Sequence, residues 1–280
     1  TIATTVTTTA LAASPSYGAP LIGLATNALI RFCDDHDKAA AFASLLDQVG
    51  GHVIPALQPS PSAHAPLAAA LLTLSHRYAS FLPNALVHSA SLSPIIDLSA
   101  NILTSCRDVE AVEAAIDFIS VIGRTARNHP INENQQNLCS RLQEAMGYAG
   151  PKLMHAAIIS LSDSLPVSLV PRTADWIAPL LHLPSWAAPS PTHPSSSNLF
   201  TWLLSTLTSM PSVDGIPDDH AKESFLRSLT SLPDPLPAGA TDLATTERLR
   251  AIVNEFARVC RRLPGTSAFD VAAYEWSSAG

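Results

Sequence analysis

The chain has 280 residues, 47% of them hydrophobic, with a mean hydropathy of +0.21, a formal net charge of −7 and a pI near 5.7. This much apolar material excludes a disordered chain and suffices for a large core. The acidic balance excludes a grip on a phosphate backbone through clustered Lys and Arg, so no direct nucleic-acid partner is expected.

Residues 1–60 read as a helical segment of uncertain register that opens with a Thr/Ala-rich run over residues 1–14. The weakly polar stretch at residues 19–30 is shorter than the roughly 20 apolar residues a bilayer demands, so no membrane span is expected. Asp34-Asp35-His36-Asp37 is the one dense group of potential ligands. Consecutive residues cannot all face one ion from a helix, so the group reads as a helix N-cap with solvated acids. No metal and no cofactor is expected.

From residue 61 onward the apolar residues recur at helical spacing. They run through Leu67, Leu71, Leu74, Tyr78 and Phe81, then Ile95, Leu98 and Ile102, then Val109, Val112, Ile116 and Ile119. The period returns in Leu138, Leu142 and Met146, in Met154, Ala157, Ile158 and Leu161, and in Val170, Ala174, Ile177 and Leu181. Prolines punctuate the segments, with Pro66, Pro94 and Pro151 near helix starts and Pro83, Pro184, Pro211 and Pro233 near ends. Ser93, Asp108 and Thr241 are the expected caps. Residues 184–198, with four prolines and three serines in a row, read as a surface loop, and residues 231–239 as another. A helix at 199–210 follows the first loop. The last helix, 241–263, carries Leu249, Ile252, Val253, Phe256, Val259 and Leu263 on one face and Arg248, Glu255, Arg258 and Arg262 on another. It is expected to act as a terminal cap with a polar outer face.

These segments predict an all-α fold of about a dozen helices in antiparallel pairs, roughly one pair per 40 residues, which is the mark of a HEAT-type α-solenoid. The organisation expected is the 1–60 segment followed by an arch of helix pairs over 61–280. Enzyme chemistry finds no support. The ten histidines form neither a His-x3-His nor an HExxH pair, and there is no GxSxG elbow and no phosphate-cradling glycine loop. His155 reads as a packed core or groove histidine. Cys33, Cys106, Cys139 and Cys260 are far apart and read as reduced thiols of an intracellular protein. The chemistry left is a charged stripe: Glu110, Glu113, Asp117, Arg124 and Arg127 share one face of a helix whose other face holds Val109, Val112, Ile116 and Ile119.

Three segments carry a resemblance to a known family. Gly150-Pro151-Lys152-Leu153-Met154, Ala174-Asp175-Trp176-Ile177 and Val259-Cys260-Arg261-Arg262-Leu263-Pro264-Gly265-Thr266 occur in the order and at the spacing seen at the C-terminal end of a karyopherin-β nuclear transport receptor. The chain is similar to the importin-thirteen and transportin-SR group over residues 93–270, more weakly over 62–91. The resemblance implies the C-terminal, cargo-binding arch of a longer receptor that shuttles between nucleus and cytoplasm. Folded protein cargo would be held on the concave face under control of Ran-GTP, with Ran gripped mainly by an N-terminal arch. It makes the helix at 108–128 an inner helix, with 152–164 and 218–229 as further inner helices, and Glu110, Glu113, Asp117, Arg124 and Arg127 as candidate cargo contacts. The arginine-rich helix of transportin-SR relatives has no counterpart here, and the helix at 199–210 is additional to the family pattern. The alternative expectation is a helical-repeat scaffold of another intracellular assembly.

Overall fold

A computed structural model describes residues 18–33, 36–128, 130–181, 183–191, 196–212, 217–232 and 243–262. Its helices are, in order, α1 (Gly18–Phe32), α2 (His36–Leu57), α3 (Ala65–Phe81), α4 (Pro83–His88), α5 (Leu92–Ser105) and α6 (Val109–Arg127). They continue with α7 (Glu133–Ile159), α8 (Val170–Leu181), α9 (Pro184–Ala187), α10 (Asn198–Ser209), α11 (Asp219–Thr230) and α12 (Leu243–Cys260). Among the described residues the β structure is limited to an isolated bridge between Pro189 and Ser197. The chain is all-α, as its periodicity predicts. The expected caps at residues 34–35 and 241, the run at 1–14 and most of the loop at 231–239 lie outside the described residues.

The helices stack in two rows. One row runs α1, α3, α6, α8, α12, each packed on the next although other helices intervene in sequence. The second runs α2, α5, α7, α10, α11. Alternation between layers is what amphipathic helices joined by short turns produce, because each must cover its stripe with the other layer and with its own neighbours. One continuous core results, from Ile22 in α1 to Phe256 in α12.

Helix α6 shows the local logic. The Asp108 carboxylate accepts the Ala111 N–H at 2.9 Å, satisfying one of the orphan donors of the first turn. Val112, Ile116 and Ile119 are buried in the same core as Ile95, Leu98 and Ile102 of α5, the helix α6 packs on. Val109, expected on this stripe, is 47% exposed: at the first residue of the helix the stripe has already run past its neighbours. Phe81 ends α3 in the same way and stays exposed.

Several expectations are corrected. Pro151 was expected at a helix start, yet α7 passes through it as a single 27-residue helix. Leu138, Leu142, Met146, Ala149, Leu153 and Ala157 form one buried stripe across the proline. Burial along that stripe outweighs the one backbone hydrogen bond that proline withholds. The merged helix changes the alternation. Residues 152–159, with the π-helical turn Ser160–Ser164, and α11 stand in the second row, whereas α6 stands in the first, so the three inner helices expected from the resemblance do not share a face. His155 is exposed, not packed.

Helix α5 begins at Leu92 rather than after Ser93, and its cap comes from another helix. Asp47 of α2 accepts the Ser89 hydroxyl at 2.5 Å and the Ser91 N–H at 3.3 Å. The supposed surface loop at 184–198 starts as a buried anchor: Trp186 is fully enclosed and its indole donates to the Met146 carbonyl at 3.1 Å. Trp186 meets Trp202 of α10 edge to face at 5.3 Å. A β-carbon at Gly150 would sit 2.3 Å from the Trp202 ring, so this glycine is where α10 docks on α7. The additional helix is therefore a full member of the second row.

In α12, Leu249, Val253 and Phe256 are buried as expected, and Phe256 stacks on Phe225 of α11 with centroids 4.0 Å apart. Glu255 is not on a polar outer face: it is 5% exposed, beside Arg258 at 3.6 Å. Val259 is only partly buried, and Leu263 lies outside the described residues.

Ile116 is 1% exposed at the seam between the rows. Ile116→Ala should cost about 2–4 kcal/mol through lost burial and a cavity. Chemical denaturation monitored by circular dichroism reads this; an unchanged midpoint would mean that the seam is not where stability resides.

Candidate functional site

The first row is joined helix to helix by arginines. Arg172 lies in the first turn of α8, where its side chain reaches back across the row to α6. One guanidinium nitrogen pairs with Glu113 and the other with Asp117. Glu113 and Asp117 are four apart, so both carboxylates face the same way, and the planar fork of arginine suits two separate acceptors. One turn along α8, Asp175 faces the opposite neighbour. It receives Arg250 of α12 through Nε at 3.1 Å and Nη2 at 2.8 Å, and Glu247 holds the remaining nitrogen at 2.5 Å. The hydrogen bonds and charge of Asp175 raise the Arg250 pKa above its ordinary value. In the second row, Lys152 of α7 pairs with Asp97 of α5 at 2.8 Å.

Arg261, just past α12, makes a different joint. Its Nε donates to the Leu161 carbonyl at 2.8 Å and its Nη2 to the carbonyls of Leu165 at 2.7 Å and Ser160 at 3.2 Å. These carbonyls belong to the π turn closing α7 and the residue after it, where unsatisfied acceptors gather and a cation is favoured. Burial lowers the Arg261 pKa. Two of the segments that carry the resemblance thus supply Asp175 and Arg261, both as joints between helices.

Upstream of the Arg172 clasp, α1, α3 and α6 enclose a groove of about 680 Å³. Its floor is small: Ala19 and Gly23 from α1, Ala69 and Ala70 from α3, Ala114 from α6. Its polar rim is Thr73, Arg77, Glu110, Glu113 and Asp117. The Nε of Arg77 is closed off from solvent and has no hydrogen-bond partner among the described residues. Leaving such a donor unpaired costs about 1–3 kcal/mol. Glu113 and Asp117, which line the same groove, pair with Arg172 instead.

The five residues of the expected stripe therefore separate. Glu110, Glu113 and Asp117 line the groove together. Arg124 is not among the lining residues and turns its Nε onto the Ser120 carbonyl of its own helix at 3.2 Å; Arg127 is half-buried and likewise outside the groove. Sequence reasoning missed Arg77 and Arg172. Arg172 lies 59 and 55 residues from its two partners, and no local spacing announces a pair at that range. Arg77 is the only Lys or Arg of α3, and that isolation was the available signal.

No cluster of three or more His, Cys, Asp or Glu residues that could hold a metal is present among the described residues, and none of their helices is long and apolar enough to cross a membrane. No protein-family model matches the chain, and a search of the curated proteins returned no match.

Because Arg172 holds two carboxylates of α6, Arg172→Ala should lower stability by about 0.4–2 kcal/mol, the sum of two partly exposed pairs. The joint reversal of Glu113 and Asp117 to Lys should destabilise the chain as well, since it sets two cations against Arg172. Thermal melts of both variants at low and high salt check this; melts identical to wild type would make the clasp a surface accident.

Cys260 is half-buried, and burial pushes its thiol up to about 12. At pH 8 it holds almost no thiolate, the reactive form. Titration with a thiol-specific disulfide reagent should leave Cys260 unmodified in the native protein and modify it once denaturant is added; rapid native labelling at Cys260, read by peptide mass mapping, would contradict this burial.

Proposed function

We propose that the chain is a protein-recognition arch of a nuclear transport receptor of the karyopherin-β class, binding folded protein cargo under the control of Ran-GTP. The observation that supports the reading most is the way the resembling segments are used. Asp175 ties α8 to α12, and Arg261 ties α12 to the end of α7. A run of type Asp-Trp and a run of type Cys-Arg thus each lie at a joint of a two-row helical stack. Such stacks present long faces to other proteins. The acidic total of −7 favours basic partners, and electrostatic complementarity of that kind raises association rates and selects partners.

On this reading Glu110 and the groove beside it belong to the cargo face, while the main Ran contacts belong to an N-terminal arch. The test is capture of proteins from nuclear extract on the receptor, with and without Ran loaded with a non-hydrolysable GTP analogue. A defined set of proteins whose retention changes with Ran-GTP is the expected result. Retention of the same set regardless of Ran would turn the reading toward a helical-repeat scaffold of another assembly.

A further inference from the structure

We draw no further inference here: the strongest candidate, the apolar surface patch on α1 at the first end of its row, where Leu24 is 65% exposed, carries nothing because nothing in the structure shows what covers it.

Discussion

Everything in this molecule hangs on one apolar seam between two rows of helices. Ile22, Leu71, Ile116, Leu180 and Val253 belong to the successive helices of one row, and Leu46, Ile95, Leu142 and Leu203 to helices of the other; all are buried in the same continuous core. A helix removed from the stack would expose its own stripe and those of its neighbours. Each helix is therefore stable only through adjacent ones, as in any stack whose contacts are to nearest neighbours. The same rule explains why α7 tolerates a proline in its middle: the seam is continuous across it, and the lost hydrogen bond is the smaller term.

The polar joints do another job. A partly exposed ion pair contributes about 0.2–1 kcal/mol, while a buried isoleucine truncated to alanine costs about 2–4 kcal/mol, so the seam sets stability. What the joints add is direction. Apolar packing tolerates sliding of one helix along another, whereas Arg172 held by carboxylates four residues apart, or Arg250 held between Asp175 and Glu247, accepts one placement only. Arginine does this work in a chain with only three lysines among sixteen basic residues. Arg261 extends the device to backbone acceptors, fixing the last helix to the end of α7.

These joints also shape what the surface offers. By consuming Glu113 and Asp117, Arg172 converts an acidic stripe into a groove with one open carboxylate, Glu110, and one guanidinium with an unmet donor, Arg77. A count of carboxylates on the helix face therefore overstates the negative charge left unpaired there.

The sequence by itself determined the all-α class, most helix boundaries and the buried faces of α5, α6 and α12, because these follow from a local period of 3.6 residues and from caps such as Asp108 acting three residues away. It also put Glu110, Glu113 and Asp117 on one face. Tertiary structure alone decided which carboxylates remain open, since Arg172 arrives from more than fifty residues downstream. It decided that Pro151 is interior to α7, which reassigned the later helices between rows, because the choice weighed local backbone cost against burial supplied by other helices. It buried Glu255 and exposed Val109 and His155, since the width of each stripe depends on how far neighbouring helices reach. Local spacing fixes which face of a helix is apolar; only the packed neighbours fix how much of that face is covered, and with what charge beside it.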